Sequence, residues 1–392
     1  MTRLLHLTTV PQTLFFLRGQ PDFLRAHGFE IHAVSSPGED LNRFGVEEHV
    51  ITHGIPMRRA ISPFADLVGV IRLWRLFRKI HPNIVHAHTP KGGLLGMIAA
   101  TLAFVPSRIY HIHGLPLVTS RGVKRWLLVA SDRLACSLAH QVFCVSHSVR
   151  ALAISEGLVK PSRIAVLCNG SINGVDAEGR FRRSTEVVEG ATAARERWNI
   201  PVGAPVVGFV GRLVRDKGVS ELAHAWRELR EEFPEAHLLV VGGQEIHDPL
   251  APNVLLALQN DPRVHLVGHQ RETPPLYAAM SVLALPTYRE GFVVTALEAA
   301  AMELPVVGTD VPGCRDAVAD GETGTLVPAR DAPALARALA RYLRDPGVMT
   351  RHGQQGRRRA IRDYRPQLLW KALRDVYLDD GSAPFRVVAN AD

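Results

Sequence analysis

The sequence predicts an α/β protein made of two doubly wound parallel sheets. Three observations predict it. Short apolar runs rich in Val, Ile and Leu, bounded by turn residues, alternate with longer helical patterns along the chain. A length of 392 residues exceeds what one ordinary core fills, so two domains are expected. A polar, aperiodic stretch over Glu178–Gly190 interrupts the alternation near the middle and reads as a linker.

In the first half, strands are expected at Arg3–Thr8, Glu30–Val34, Val50–Thr52, Ile84–His88, Arg108–His113, Gln141–Val145 and Ile164–Leu167. Helices are expected at Thr13–His27, closed by Gly28, and at Ser62–Ile80, Gly93–Ala103, Val123–Leu138 and Ser148–Glu156. Ser62–Ile80 is amphipathic, with Leu67, Val70, Ile71, Trp74 and Phe77 on one face among Arg72, Arg75, Arg78 and Lys79. The Asn169–Asp176 loop, with Asn173-Gly174, has turn chemistry.

Two stretches of this half carry chemistry. In His86–Gly93, HAHTPKGG, His86 and His88 face the same way on a strand. A metal reading needs further ligands, and none is spaced suggestively. Lys91, Gly92 and Gly93 read as a flexible basic turn opening a helix, able to hold a phosphate; the alternative is a solvated lysine. Arg121, Lys124 and Arg125 beside Trp126 suit an anionic membrane surface, as does the Arg72–Lys79 face; the alternative is a pair of solvated faces.

In the second half a helix begins at Ala193–Trp198, and strands are expected at Val206–Val210, His237–Val241, Arg263–Val267, Ser281–Leu285 and Leu304–Thr309. Helices are expected at Val219–Glu231, Thr273–Ala279, Ala332–Tyr342 and Pro366–Leu378, with Asp331 as an N-cap and a frayed tail over 381–392. The loop Gly211–Gly218, GRLVRDKG, lets Arg212 and Lys217 reach one polyanion, Arg as a planar fork and Lys as a mobile charge. Pro286–Ala301, PTYREGFVVTALEAAA, brackets a strand-to-helix turn with Glu290 and Glu298. Open α/β sheets bind ligands at such turns. The helix start at Gly291, Phe292, Val293 and Val294 offers backbone N–H groups to an anion. A nucleotide-linked sugar fits: diphosphate at the helix end, sugar at Glu290, ribose at Glu298.

The tract from Val282 to Asp331 resembles the signature region of family 4 glycosyltransferases, the retaining GT-B enzymes. Its E-x7-E element matches at Glu290 and Glu298, and its D-G-x-x-G-x-L-V element at Asp320, Gly321, Gly324, Leu326 and Val327. The G-R-x(n)-K-G element matches at Gly211, Arg212, Lys217 and Gly218, and H-x-H-x-P-K and N-G-x-D stretches of the first half are similar too. The resemblance implies two Rossmann-like domains, an acceptor domain over 1–180 and a donor domain over 181–365, facing a central cleft, with the last helix (366–380) returning to the first. It implies catalytic roles for Arg212, Lys217 and Glu290, and for His113, at the end of a strand, as a cleft histidine near the transferred sugar. Donor contacts are implied at Glu298, Gly291, Phe292, Val293, Val294, Gly211, Gly268 and His269, the last two through main-chain groups near the base. Lys91, Gly92, Gly93 and Asn173 are candidates for acceptor or phosphate contacts. One departure is plain: the first strand-to-helix loop, Thr8–Thr13, has none of the glycines with which many members approach the donor.

Composition is consistent with this. Hydrophobic content of 46% and charged content of 21% describe a globular protein, and a net charge of +8 favours anionic partners. Nucleic acid ranks last, for want of any recognisable motif or of aromatics interleaved with basic residues. Cys136, Cys144, Cys168 and Cys314 form no C-x-x-C pair and read as reduced thiols of a cytosolic protein. The opening MTRLLHLTTV reads as a strand rather than a signal peptide, and the expected location is cytoplasmic, peripheral on the inner face of the membrane. The expected activity is retaining transfer of a hexosyl or N-acetylhexosaminyl group from a nucleoside-diphosphate sugar, by family frequency a UDP-sugar, to a lipid-diphosphate-linked saccharide of a bacterial surface polysaccharide. No cofactor and no metal are expected, since no D-x-D pair is present to hold one. Transfer to a soluble acceptor and non-catalytic sugar-nucleotide binding are the alternatives. Sugar-nucleotide epimerases lack the Val282–Asp331 tract, and a phosphorylase needs a pyridoxal lysine and a far longer chain.

Overall fold

The apolar runs become strands of two sheets in the computed structural model, which describes residues 1–245 and 248–379. The expected tail, 381–392, lies outside the described residues. The chain divides into two compact units, Met1–Asn173 together with the final helix Pro366–Leu378, and Gly174–Arg365. The division falls inside the Asn173-Gly174 turn rather than after residue 180.

In the first unit β1 (Thr2–Leu7), β2 (Phe29–Ser35), β3 (Ile51–Gly54), β4 (Ile84–His88), β5 (Ser107–Ile112), β6 (Gln141–Cys144) and β7 (Ile164–Val166) form one parallel sheet. Its order is β3-β2-β1-β4-β5-β6-β7. Both faces are covered, as the near-continuous apolar strands demand. Leu5, Leu7, Val85 and Ala87 pack toward helices Pro63–Ile80, Pro90–Leu102 and Gly122–Leu138. Leu4, Ile31 and Ile84 point the other way, toward helices Gln20–Ala26, Glu39–Glu47 and Pro366–Leu378. That alternation is the two-residue period of a strand.

The second unit repeats the plan with β8 (Val206–Val210), β9 (His237–Val241), β10 (Val264–Gly268), β11 (Val282–Leu285), β12 (Val306–Thr309) and β13 (Gly324–Val327). Their order is β10-β9-β8-β11-β12-β13, parallel throughout. In each sheet the chain first winds outward one way and then restarts on the other side. The restart lies between β1 and β4, and between β8 and β11. Ligands of such sheets bind at that switch point, beyond the carboxyl ends of the strands.

Several elements differ from expectation, each for a physical reason. The single helix expected over Thr13–His27 is a 3-10 turn, Pro11–Leu17, then a helix from Gln20. Gly19 breaks it at φ 78°, and a Cβ there would lie 2.9 Å from the Trp370 ring. The last part of the supposed linker, from Thr185, belongs to the helix Thr185–Arg197, capped by the Ser184 side chain, which accepts from Val187 N. It buries only Ala191 and Ala194, too little to show a period. The helix Pro346–Asp363 has no legible period either. It buries Gly353, Gly356 and Ala360, and a Cβ on Gly353 would lie 2.0 Å from the Glu303 carbonyl oxygen, so contact comes through small residues. On Pro63–Ile80, Val70, Leu73 and Phe77 face inward, whereas Leu67, Ile71 and Trp74, expected on that same face, are exposed with Phe64.

Candidate functional site

At the switch point of the second unit, two loops meet. The loop after β8 runs through a 3-10 turn, Arg215–Lys217, and ends at Gly218 in the left-handed region, φ 67°. A Cβ at Gly218 would lie 1.9 Å from the Pro286 carbonyl oxygen, so only glycine lets this loop reach the one after β11. The Asp216 backbone oxygen accepts from Tyr288 N (2.8 Å) and Thr287 Oγ1 (3.1 Å). Arg289 Nε donates to Asp216 Oδ2 at 2.8 Å. Thus clamped, the loops bring Lys217 Nζ to 2.5 Å from Glu290 Oε1. The lysine side chain is 26% exposed and the glutamate 13%. Half-buried charges so paired are held in one geometry yet remain open to a ligand. Nothing in the sequence pattern singles out Asp216, Thr287 or Arg289, because a clamp made through backbone atoms leaves little side-chain signature.

Arg212 is placed differently. Its Nη1 donates to Glu245 Oε1 at 2.6 Å, with the side chain 53% exposed. Glu245 closes the VGGQE stretch after β9, and no sequence signal marks it as the partner. The helix Val294–Ala301 opens just after Glu290, with no side chain capping its first turn and with Gly291, Phe292 and Val293 buried beside it. Its opening amides are the groups that accept anions at helix ends. Inside that helix Glu298 accepts a hydrogen bond from Tyr277 Oη at 2.7 Å. Burial pushes the Glu298 carboxyl up to about 7, against the Tyr277 hydrogen bond and the Arg180 charge, which lower it. Gly268, at φ 71°, accepts from Gly242 N at 2.9 Å, and His269 beyond it is exposed. Asp320 acts locally, for its Oδ1 accepts from Leu326 N at 2.8 Å and shapes the turn into β13.

In the first unit the corresponding point gathers histidines. His6 lies next to the end of β1, His86 and His88 lie in the second half of β4, His111 lies next to the end of β5, and His113 follows it. The strand register sets His6 beside His86 and His88 beside His111. His6 Nδ1 lies 3.0 Å from His88 Nε2, and His88 Nδ1 lies 2.8 Å from His113 Nε2. His86 Nδ1 is 2.6 Å from Tyr377 Oη. Burial pushes His113 down to about 4 and His6 to about 3. Burial first, then the neighbouring rings, lowers His86, His88 and His111 well below the usual histidine value. All five are therefore neutral at pH 7. No spacing in the sequence marks the neighbours of His86 and His88: His88 meets His6 and His113, 82 and 25 residues away, which converge only once strands pair.

The remaining candidates of this unit are structural in position. Gly92 and Gly93 belong to the helix Pro90–Leu102 rather than to a flexible turn. A Cβ at Gly93 would lie 2.1 Å from the Tyr110 ring, so glycine serves close helix–sheet packing. Lys91 Nζ donates to both Asp66 carboxylate oxygens, at 2.7 and 3.0 Å, and to the Ala60 carbonyl. Asn173 donates from Nδ2 to the Arg18 carbonyl at 2.9 Å and accepts at Oδ1 from Trp370 Nε1 at 2.6 Å, so its amide is satisfied at both ends.

Two Rossmann-type sheets, with a lysine–glutamate pair and an uncapped helix start at the second switch point, define the GT-B class of transferases. Comparison with known proteins agrees. Residues 204–345 match the model of glycosyl transferases group 1, and residues 22–170 that of the glycosyl transferase 4-like domain. The chain is 35% identical over 375 residues to the capsular polysaccharide biosynthesis glycosyltransferase CapM of Staphylococcus aureus, covering 96% of each chain. It is 25% identical to the UDP-Gal:alpha-D-GlcNAc-diphosphoundecaprenol alpha-1,3-galactosyltransferase of Escherichia coli, covering 90% of this chain and 89% of that one. In fold it is similar to Anabaena HepE, solved with UDP and glucose, at a TM-score of 0.78 and 17% identity, over 96% of this chain and 99% of that one. The chain belongs to the group 1, family 4-like glycosyltransferases.

Proposed function

We propose that the enzyme transfers a sugar, with retention of anomeric configuration, from a UDP-sugar to a lipid-diphosphate-linked saccharide during assembly of a capsular or related surface polysaccharide. The single observation that carries the reading is the 2.5 Å Lys217–Glu290 contact at the second switch point. It sets a cation for the departing diphosphate beside a carboxylate for the sugar. As the anomeric C–O bond breaks, negative charge moves onto the diphosphate. Lys217, Arg212 and the amides at Gly291–Val294 then bind it more strongly than in the ground state, which is what lowers a barrier. Glu290 orients the sugar and Glu298 accepts from the ribose hydroxyls. Gly211, Gly268 and His269 line the nucleotide's approach, and His113 hydrogen-bonds a hydroxyl of the transferred sugar. The names of the CapM and galactosyltransferase relatives, one a capsule enzyme and the other acting on a diphosphoundecaprenol-linked sugar, support the choice of acceptor.

No divalent ion is needed at the diphosphate in this scheme, because Lys217 and the helix end supply positive charge there and Arg212 joins them on leaving Glu245. Two exposed apolar stripes support docking on an anionic membrane: Phe64, Leu67 and Trp74 on one helix, Val123 and Trp126 on another, each with Arg or Lys beside them. No helix among the described residues is long and apolar enough to cross a membrane.

The test is a thermal-shift screen against UDP, GDP, ADP and TDP sugars, each held at ~100 times its Kd, where one site adds ~2.7 kcal/mol. The selected donor is then offered to an undecaprenyl-diphosphate-linked sugar and to soluble saccharides. Donor binding without transfer to any acceptor would reduce the protein to a sugar-nucleotide binder.

A further inference from the structure

Buried polar atoms are almost always paired, and each exception asks for an explanation. Among the described residues, Nε2 of His6, Nε2 of His86 and Nδ1 of His113 are buried without a partner. All three belong to the histidine cluster at the first unit's switch point. Hydrogen bonding within the cluster does not remove the problem. A neutral imidazole has one N–H and one lone pair, so a chain from His6 through His88 to His113 always leaves an unmatched group at each end. His86, turned to Tyr377 through Nδ1, leaves a third.

From this arrangement we propose that His6, His86 and His88 bind a first-row divalent transition metal ion, of which Zn2+ is the representative. One ring nitrogen from each of the three lies within 4.8 Å of the others, and all three residues are buried. Tetrahedral Zn–N bonds of ~2.0–2.1 Å put ligand nitrogens ~3.3 Å apart, so binding draws together nitrogens that lie within 4.8 Å of one another. Neutral imidazole is the ligand form, and an all-nitrogen set selects Zn, Cu or Ni over Mg or Ca. Metal-bound histidines usually have the second nitrogen fixed by an outer partner. His86 has one in Tyr377, and His88 has one in His113. Tyr377 arrives on the last helix, so the metal ties β1 and β4 to an element from the far end of the chain. All three ligands belong to the first unit, and no metal is invoked at the diphosphate of the second.

The experiment uses the full chain, freed of metal by a chelator and then exchanged into chelator-free buffer. Zn2+ is titrated by calorimetry, and Co2+ is added separately for its visible spectrum. The expected result is one tight equivalent of Zn2+ per chain, a rise in the thermal midpoint, and the intense visible bands of a four-coordinate Co2+ site with three histidines and one water. His86→Gln and His88→Gln are expected to lose at least tenfold in affinity, whereas His237→Gln, in the separate His237–His265 pair of the second unit, leaves it unchanged. A response to UDP that persists in the cluster variants shows that the second unit stays folded. Binding of Zn2+ below a tenth of an equivalent by the wild-type chain, or equal binding by the His86 and His88 variants, overturns the proposal. If those variants do not fold, the wild-type stoichiometry and Co2+ spectrum decide alone. None of these outcomes bears on whether the second unit binds UDP.

Discussion

Replacing Lys217 by Ala tests the chemistry and the packing of the donor site separately. The substitution removes the cation set 2.5 Å from Glu290. Removing one preorganised group that faces developing charge costs ~2.7–4 kcal/mol, which is ~100- to 900-fold in turnover. The loss should fall on kcat as much as on kcat/KM, because the diphosphate is most negative in the transition state. A second effect follows from burial. Glu290 keeps only 13% exposure and is left facing the site without its partner. An orphaned buried group of this kind costs ~1–3 kcal/mol, and so several degrees in Tm for a unit of this size. Adding Glu290→Gln removes the orphaned charge and should restore most of the Tm while leaving turnover low. The assay is initial-rate transfer from the UDP-sugar identified by the thermal screen, with Tm measured in parallel. Turnover of Lys217→Ala within about threefold of wild type would refute a role for this lysine in leaving-group stabilisation.

Further predictions concern neighbouring groups. Arg212→Ala should lower turnover by ~100-fold with little change in Tm, since its exposed pair with Glu245 contributes ~0–1 kcal/mol to stability; a Tm loss matching the activity loss would make it structural. Glu298 has its carboxyl raised from 4.5 to about 7 by burial, so the folded chain holds that proton more tightly than the unfolded one. Stability is then lost as pH rises from 4.5 toward about 7, and the full penalty applies above that. Glu298→Gln should therefore raise the Tm at pH 8 more than at pH 5 and weaken UDP binding; parallel Tm–pH profiles for the two proteins would contradict the assignment. UDP affinity measured by calorimetry should be the same with Mg2+ and with EDTA, and a tenfold dependence on Mg2+ would place an ion at the diphosphate. Gly218→Ala sets a Cβ 1.9 Å from the Pro286 carbonyl, so it should separate the two loops and lower UDP affinity and turnover together; near-normal values would show that the loops tolerate separation.

Much of this protein is legible without coordinates. Alternating strand and helix patterns, and a length too great for one core, determine two parallel sheets, because buried strands need apolar residues on both faces wherever they lie. Local loop chemistry likewise marks Arg212, Lys217, Glu290 and Glu298, since charges and glycines beyond strand ends are visible in the linear order. Tertiary structure decides which of those charges meet. Lys217 pairs with Glu290, whereas Arg212 turns to Glu245, a choice set by loop paths that Gly218 and Asp216 control through backbone contacts. It also decides that Lys91 and Asn173 are tied to partners in their own unit, and that Gly92 and Gly93 lie in a helix. The histidine cluster is the least legible, because His6, His86, His88, His111 and His113 come together only through strand register and order. Those are set by how whole sheets bury apolar area, and no local spacing in a chain records them.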